Sequence, residues 1–496
     1  MSLFRPPIVR SATAALDRSL FSKTFPIAAA RVLSPKNIPR IQVQLNKSHE
    51  VLNLERRKPV EIDPDPALAS KGGKCLLLNP DVKPYDSNTW SKVLREASEN
   101  DEIKVIPYDL VLDYNYWQYR TISYFKDAVL TEVVDIMTSL LPEDAQAEIP
   151  TGFTMVGHVA HLNLRDEYLP YKKIIAEVIV DKNPTIRTVI NKTNNVGTES
   201  EFRTFAYEVL FGLDDMNVEV GEGECVFKFD YSKVYWNSRL QTEHKRIVDM
   251  FTPGEVVCDV MAGIGPFALP AGKKEVFVLA NDLNPESYKY LKEGIVRNKV
   301  SEIVQPFNED GHTFIQHAAD HLLNLTATSQ NTITRPLRAP KRSRRHPPPT
   351  TPAPTTKTLT IPTTISHFVM NLPAIAISFL PSFNGLYNSH DSLFYPHTAT
   401  KLPMIHVHCF STKSDDNVRE TAEICERVSE ALGFEIRPGE QEMSVHEVRD
   451  VAPKKRMFCA SFRLPAEVAF RERKAVGEKD GWGTWMKKQL GMESEE

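Results

Sequence analysis

The sequence predicts an α/β protein in which a doubly wound, Rossmann-like parallel sheet follows two smaller α+β domains. From residue 239 onward, segments with helical apolar spacing alternate with short apolar runs typical of buried parallel strands. Before that point, strand-like runs are mixed with single helical segments and polar turns. The length of 496 residues agrees with this organisation, because it corresponds to roughly two to four domains.

Composition limits the classes of function. The net charge of −4 excludes a chain that is cationic overall, so any surface for a nucleic acid must be a local patch. No run of roughly 18 apolar residues is present, and we therefore predict no membrane span. The six cysteines are scattered without a C-x-x-C pair, which argues against a zinc site and a disulfide framework.

The N-terminal segment, residues 1–30, supports two interpretations. Residues 1–31 contain five basic side chains and one acidic side chain, Asp17, among Ser, Ala and Phe residues. This composition is typical of mitochondrial targeting segments. The same residues are equally consistent with the start of the first folded domain, and the two interpretations do not exclude one another.

Two α+β domains are predicted over residues 31–145 and 146–238. In the first we expect strands at 74–79 and 102–107 and helices at 90–98 and 122–141. In the second we expect a helix at 171–180 and strands at 153–161, 188–191, 204–210 and 225–229.

The third domain, residues 239–485, carries the doubly wound sheet. Its helices are expected at 243–250, 266–271, 285–298, 313–325 and 416–432. Its strands are expected at 256–260, 276–280, 304–307, 367–371, 405–409 and 457–462.

A basic, Pro- and Thr-rich insertion interrupts this domain at residues 326–364. No acidic residue lies between Asp320 and Asp391. We predict that the insertion is disordered, because it cannot bury enough apolar surface to fold. Its basic run at residues 341–345 is either an RNA contact or nuclear address, or part of a solvated surface loop.

A glycine turn follows the first strand of the large sheet, at residues 259–267. Gly263 and Gly265 let the backbone approach a ligand closely, and the helix that follows presents its N-terminus there. Pro266 and Phe267 stand where a dinucleotide site continues toward its third glycine. This departure disfavours a nicotinamide or flavin cofactor.

Polar residues also follow the next three strands, each with two possible roles. Asp282 could accept hydrogen bonds from ribose hydroxyls or cap the helix that begins near Pro285. Asp310, before Gly311, could bind the amine of an adenine or form a plain Asp-Gly turn. Asn371, in Asn-Leu-Pro, could contact the polar edge of a base or close a strand. This motif resembles the Asn-Pro-Pro-Tyr motif of methyltransferases that act on ring or exocyclic nitrogens. It contains a Leu and has no aromatic residue after the proline, which argues against methylation of adenine or cytosine amino groups.

Five motifs in order resemble the archaeal and eukaryotic tRNA (guanine-37-N1)-methyltransferases: residues 157–166, 201–205, 237–244, 259–267 and 371–373. The resemblance covers residues 17–453 apart from the insertion. It implies a class I methyltransferase domain that takes S-adenosylmethionine as cofactor. It also implies methyl transfer to N1 of guanosine 37 in the anticodon stem-loop of cytoplasmic and mitochondrial tRNAs. The resemblance further implies that in tRNA-Phe this methylation is the first step toward wybutosine.

The resemblance assigns catalytic roles to three residues. Glu243 would be the general base at guanine N1, Arg203 would hold O6, and Asn371 would orient the base edge. We expect partial burial to raise the pKa of Glu243. Without the resemblance, the sequence favours simpler roles: Arg203 as a phosphate contact or ion-pair partner, and Glu243 as a carboxylate favoured by the helix dipole. The residues implied to bind the cofactor are His244, Asp259, Gly263, Gly265, Asp282, Leu283, Asp310, Gly311 and Asn371.

RNA binding is expected to involve residues 146–238 and scattered basic side chains. The main candidates are Arg239, Arg449, Lys454 and Lys455, followed by Lys172, Lys173, Arg187 and Arg456. About half of them are expected to be merely solvated. His158 and His161 lack a third ligand at metal spacing, so we predict no metal site.

Two alternatives to this function stay open: a methyltransferase for another RNA guanine or another substrate, and a noncatalytic RNA-binding scaffold. The complete glycine turn, Glu243 and Asn371 argue against the scaffold. We expect a monomer. Eukaryotic relatives imply locations in the mitochondrial matrix, the cytoplasm and the nucleus.

Overall fold

The computed structural model describes residues 4–10, 16–54, 57–117, 135–146, 152–193, 204–336, 356–414, 416–452 and 454–473. The chain divides into two compact units. The first comprises Met1–Phe153, Ala160–Asn191 and Glu208–Leu213, and the second comprises Thr154–Val159, Lys192–Tyr207 and Asp214–Glu496. The boundaries between three domains stay a prediction.

The first unit contains a four-stranded antiparallel sheet in the order β2-β3-β1-β4. Its elements are β1 Lys23–Val32, α1 Ile38–Lys47, β2 Val60–Ile62, α2 Pro66–Ala69, β3 Lys74–Leu77, α3 Lys92–Glu99, β4 Ile103–Leu112 and α4 Asp135–Leu140. Strand β1 is apolar throughout its centre because both of its faces are covered. Ile27 and Ala29 join one core cluster, and Ala28 and Ala30 join another.

Strand β1 bears on the two interpretations of the N-terminus. Residues 23–32 pair with β4 along their whole length, so they belong to the folded domain. The role of residues 1–30 in targeting stays a prediction. The helix expected at 122–141 is described only in its last part, and residues 118–134 lie outside the described residues.

The segment after the first sheet follows the expected pattern. It contains β5 Thr154–Val156, β6 Val159–Leu162, α5 Lys172–Lys182, β7 Thr188–Lys192 and β8 Tyr207–Phe211. The single strand expected at 153–161 is two strands, because the chain turns at Gly157, whose φ is +57°. Strands β6, β7 and β8 are successive neighbours in one sheet.

The second unit is built on a seven-stranded sheet in the order β13-β12-β11-β16-β17-β19-β18. Its strands are β9 Asn217–Glu222, β10 Cys225–Asp230, β11 Val256–Asp259, β12 Phe277–Asn281, β13 Val304–Phe307, β14 Thr332–Pro336, β15 Thr356–Thr360, β16 His367–Met370, β17 Met404–Thr412, β18 Ser444–Ala452 and β19 Lys455–Arg463. Its helices are α6 Gln241–Met250, α7 Ala268–Lys273, α8 Pro285–Asn298, α9 Gly311–Ala327, α10 Thr398–Lys401, α11 Val418–Leu432 and α12 Ala466–Ala469.

The strand directions confirm the predicted fold class. Strands β13, β12, β11, β16 and β17 are parallel, whereas β19 and β18 continue the sheet in antiparallel fashion. From β11 the chain proceeds to β12 on one side and later to β16 on the other. The order therefore reverses beside β11, and ligands of doubly wound sheets bind at the carboxyl ends of the strands at such a point. None of the described helices has the length and apolar character needed to cross a membrane.

The insertion is ordered at both ends, which corrects the prediction of disorder over residues 326–364. Strands β14 and β15 pair antiparallel, with Ile333 opposite Leu359, and both side chains pack against the main core. Glu275 forms ion pairs with Arg335 and Lys357, one from each strand. In both strands β-branched Thr residues alternate with other side chains, Ile333 and Arg335 in β14 and Lys357 and Leu359 in β15, which favours extended structure. Residues 337–355 lie outside the described residues.

Candidate active site

The turn after β11 contains two glycines in the left-handed region of φ. Gly263 has a φ of +57° and Gly265 a φ of +93°. A Cβ atom at Gly263 would have no atom within 4 Å among the described residues, whereas one at Gly265 would lie 2.8 Å from Leu291 Cδ1. Gly265 therefore permits close packing against α8, and Gly263 borders open space that a ligand can use.

These two glycines give a matched pair of variants. We expect Gly265→Ala to lower the free energy of unfolding by about 2–4 kcal/mol, because it combines positive-φ strain with overpacking. Gly263→Ala carries only the strain, about 1–2 kcal/mol, but places a methyl group in the open space and should weaken cofactor binding. Urea unfolding and calorimetric titration with S-adenosylmethionine separate the two effects. Equal stability losses in both variants would contradict this distinction.

Asn281, at the end of β12, organises the loops around the turn. Its Nδ2 donates to the carbonyl oxygens of Val260 and Glu309, each at 3.0 Å, and its Oδ1 accepts from the Glu309 N–H at 2.8 Å. The side chain is buried and ties together the loops that follow β11 and β13. Asn281 was not among the site residues predicted from the sequence. Its position directly before Asp282 was the available signal.

Asp282 is not the helix cap that one interpretation proposed. The cap of α8 is Asn284, which accepts from the Glu286 N–H at 3.0 Å. The Asp282 carboxylate instead accepts from the Gly263 N–H at 2.7 Å and the Asn284 N–H at 2.9 Å. Burial raises the pKa of Asp282, although these backbone N–H groups act in the opposite direction. Its role toward a ribose stays a prediction.

Asp310 does cap a helix. It accepts from the backbone N–H groups of His312 at 2.9 Å and Thr313 at 3.3 Å, at the start of α9. A Cβ atom at Gly311 would lie 2.8 Å from the Phe379 ring, so only glycine fits there without rearrangement. The Asp310 side chain is exposed, and capping leaves its other carboxylate oxygen free to accept from a ligand.

Asp259 and Asn371 have side-chain oxygens that are available to a ligand. Both carboxylate oxygens of Asp259 and the Oδ1 atom of Asn371 are buried without a hydrogen-bond partner among the described residues. Burial raises the pKa of Asp259 well above its usual range, and the charge of Asp282 adds to this. Such unpaired groups each cost about 1–3 kcal/mol. They fit a ligand that brings donors, as S-adenosylmethionine does with its ammonium, hydroxyl and amino groups.

Glu243 lies in the first turn of α6 and is 3% exposed. Arg246 donates to both carboxylate oxygens at 2.7 Å, and His408 Nε2 lies 2.8 Å from Oε1. Burial raises the pKa of Glu243, but the hydrogen bonds from Arg246 and His408 outweigh it and lower the pKa to about 2. Our expectation of a raised pKa is therefore wrong, because two cationic partners accompany the burial.

His408, a residue that sequence analysis missed, links Glu243 to the end of β16. Its Nδ1 lies 3.3 Å from the carbonyl oxygen of Met370, which directly precedes Asn371. Burial lowers the pKa of His408, but Cys459 and Glu243 raise it to about 10. The structure thus brings Glu243 to the same edge of the sheet as Asn371 and Asp259.

Glu243, His408 and Cys459 offer donor atoms within 4.8 Å of one another, as in a metal site. Both oxygens of Glu243 already bond to the Arg246 guanidinium, however. The positive charge of Arg246 would repel a metal ion bound beside it. We interpret the cluster as an ion-pair network.

The other predicted site residues have different surroundings. His244 is buried, with Nδ1 2.5 Å from Glu222 Oε1 and its ring 4.8 Å from that of Phe267 in the glycine turn. Leu283 is 45% exposed beside Asp282, and its apolar side chain is free to contact a flat ligand ring. Arg203 lies outside the described residues, so its approach to Glu243 stays a prediction.

The candidate RNA contacts of the second unit fall into two groups. Arg239, Lys454 and Lys455 are exposed, and Lys455 Nζ lies 4.1 Å from the centre of the Phe410 ring. Burial and the neighbouring charge of Arg239 lower the pKa of Arg449. Two guanidinium groups at one place are typical of phosphate sites.

Other basic or histidine candidates are engaged with acidic residues. Arg456 is paired with Asp450 at 2.9 Å and Glu447 at 3.3 Å. Within the first unit, Lys172 is paired with Glu208 at 2.5 Å. These basic side chains fit the simpler interpretation of ordinary surface charges. His158 Nε2 lies 3.1 Å from the Asp215 carbonyl oxygen, in line with a structural role.

Comparison with known proteins identifies the family. The model of the TYW2 N-terminal domain matches residues 133–215, and that of the TRM5/TYW2 methyltransferase domain matches residues 218–343. A tRNA (guanine(37)-N(1))-methyltransferase from Fusarium vanettenii is 55% identical over 95% of this chain and 98% of its own length. Relatives with the same name from Neurospora crassa and Schizosaccharomyces pombe are 54% and 42% identical, over 95% and 92% of this chain and 96% and 94% of their own.

Two solved structures share the fold. Trm5b from Pyrococcus abyssi has a TM-score of 0.55 at 21% identity and covers 88% of this chain and 99% of its own. A complex of aTrm5 with tRNALeu has a TM-score of 0.52 at 17% identity and covers 88% of this chain and 100% of its own. The high identity to these relatives over nearly the whole chain identifies the family. The protein is an enzyme that belongs to the tRNA (guanine(37)-N(1))-methyltransferase family.

Proposed function

We propose that this enzyme transfers the methyl group of S-adenosylmethionine to N1 of guanosine 37 in tRNA. The observation that carries the proposal is the position of Glu243. Its carboxylate is bonded to His408, which also contacts the end of β16 directly before Asn371. A carboxylate that could serve the nucleobase therefore adjoins unpaired polar atoms suited to the cofactor.

The residues around the glycine turn would hold the cofactor. Asp282 would accept from the ribose hydroxyls, Asp310 from the adenine amine, and the buried oxygens of Asp259 and Asn371 from other donors of the ligand. Gly263 would let the ligand pass close to the backbone. The bound sulfonium supplies an electrophilic methyl group.

The protein's task toward guanine is removal of a proton. Guanine N1 carries hydrogen and is a poor nucleophile, so Glu243 would take that proton as the methyl group arrives. Negative charge then moves toward O6, where Arg203 would stabilise it. Asn371 can donate and accept at once, which suits the polar edge of the base.

The RNA would be held by dispersed cationic side chains. Arg239 and Arg449 lie close enough for the charge of one to affect the other. Lys455 is the first residue of β19, and Lys454 directly precedes it. A loop base must leave its stack to reach a buried carboxylate, so phosphate contacts on both sides of the target are required.

Further aspects of the proposal concern the setting of the reaction. We propose that the enzyme acts as a monomer on cytoplasmic and mitochondrial tRNAs, and that in tRNA-Phe its product leads toward wybutosine. The Arg-rich, acid-poor residues 1–31 support a mitochondrial location, and the basic run at residues 341–345 supports a nuclear one.

Mapping of methylated nucleosides by mass spectrometry tests the proposal. We expect 1-methylguanosine only at position 37 of a tRNA transcript incubated with enzyme and S-adenosylmethionine. A transcript with inosine at this position retains N1–H and O6 and should also be methylated, whereas one with adenosine should not. Methylation at another guanine would support the alternative RNA target, and cofactor or RNA binding without any product would support the scaffold.

A further inference from the structure

The Glu243 carboxylate is fully engaged within the protein. Arg246 donates through Nε to Oε2 and through Nη2 to Oε1, both at 2.7 Å, in the parallel geometry of the strongest carboxylate–guanidinium pairs. His408 adds a third bond to Oε1 at 2.8 Å. A carboxylate stabilised in this way in its charged form is a weak base.

Among the described residues, the groups that face Glu243 favour its charged form or leave it unchanged. They come from four elements: Arg246 on α6, His408 on β17, His446 on β18 with Nε2 3.8 Å from Oε2, and Cys459 on β19. A general base works best when its pKa lies near the working pH. The arrangement is therefore unsuited to removing a proton from guanine until at least one partner withdraws.

Arg246 is the partner that is able to withdraw. Its side chain is 25% exposed, whereas that of His408 is 0% exposed and fixed between two strands. The guanidinium also reaches the exposed end of α6, because Nη1 lies 4.0 Å from Sδ of Met250, which is 45% exposed. RNA brings phosphate and carbonyl oxygens that compete for a guanidinium.

We propose that Arg246 is a positioning residue that keeps Glu243 in an ion-paired, weakly basic state until tRNA draws the guanidinium off the carboxylate. The carboxylate would then gain basicity only when a target base is present. This inference rests on the proposed function, since it concerns the same Glu243.

Two pH profiles of methyl transfer test this inference, measured from about pH 5 to about pH 8. The acid limb of kcat/KM reports the base in the free enzyme, and that of kcat reports the base in the complex with tRNA. The variants are Arg246→Gln, which removes the guanidinium, and Arg246→Lys, which keeps the charge but loses the paired geometry. Lys245→Gln is the matched control, because Lys245 is an exposed neighbour on α6 that pairs with Asp249.

In the unmodified enzyme we expect kcat/KM to show no acid limb, whereas kcat falls about tenfold between pH 7.5 and pH 5.5. In Arg246→Gln both profiles should show that fall, because the carboxylate of the free enzyme already lacks its guanidinium partner. Arg246→Lys should lie between them, and Lys245→Gln should match the unmodified enzyme. Coincident profiles in the unmodified enzyme, or an unchanged kcat/KM profile in Arg246→Gln, would overturn the inference.

Two controls keep the outcomes distinct. Binding of S-adenosylmethionine by each variant shows that its fold and cofactor site are intact, and Arg246→Lys serves if Arg246→Gln does not fold. A uniform loss of rate at every pH in Arg246→Gln would mean that Arg246 contacts the substrate itself, which also overturns the inference. If the unmodified enzyme fails to methylate guanosine 37, the proposed function fails instead.

Discussion

Glu243→Gln is expected to slow methyl transfer by about 10²–10⁴-fold, the usual contribution of a positioned general base. The amide has the shape of the carboxylate but cannot take the N1 proton. The substitution also removes the negative partner of Arg246 and His408, so we expect stability to fall by roughly 1–3 kcal/mol. Single-turnover assays with labelled cofactor, together with urea unfolding, measure the two effects separately.

A control on the same helix sharpens this result. Asp249→Asn removes an exposed carboxylate that pairs only with Lys245 among the described residues, and it should leave the rate unchanged. Binding of S-adenosylmethionine and of tRNA by Glu243→Gln should also be retained. A Glu243→Gln enzyme that works within a few-fold of the normal rate would show that another group takes the proton.

Asp282→Ala should weaken binding of S-adenosylmethionine by about 10²–10⁴-fold. Two hydrogen bonds from ribose hydroxyls to a charged acceptor are each worth about 1.5–3 kcal/mol, and the variant also loses the bond that holds the Gly263 N–H. Calorimetric titration measures the affinity, and Asp282→Asn tests whether shape without charge is sufficient.

The comparison variant is Asp310→Asn. Asp310 is exposed and its N-cap role can be filled by Asn, so we expect a loss of affinity below tenfold. If Asp282→Ala binds the cofactor with normal affinity, Asp282 does not bind the ribose. A larger loss in Asp310→Asn than in Asp282→Ala would reverse the predicted ranking.

Much of the fold was predictable because burial leaves a clear mark on the sequence. The parallel strands, such as β11 and β12, are short apolar runs, and α8 ends as predicted after a clear periodic pattern. The edge strand β18 was missed, because its exposed side chains include Glu447 and Asp450 and its apolar alternation is weak. Edge strands commonly carry charge, which removes the pattern that identifies a strand.

The site was predictable where residues follow strand ends in the sequence. Asp259, Asp282, Asp310 and Asn371 were found in this way, although their contacts with a cofactor stay predictions. The pKa of Glu243 was predicted wrongly for two reasons. Arg246 is only three residues away on the same helix, so the sequence spacing alone could have identified it as a partner. His408 is 165 residues away, and only the folded sheet brings it to the carboxylate.

The paired ends of the insertion have a consequence for how this part of the chain can vary. Because β14 and β15 are hydrogen-bonded to each other and anchored through Glu275, the chain leaves and re-enters the domain at two adjacent, fixed points. The entropy of closing a loop between fixed points rises only with the logarithm of its length. A connection between these two points can therefore lengthen, shorten or change composition at little thermodynamic penalty, and β16 keeps its place in the sheet.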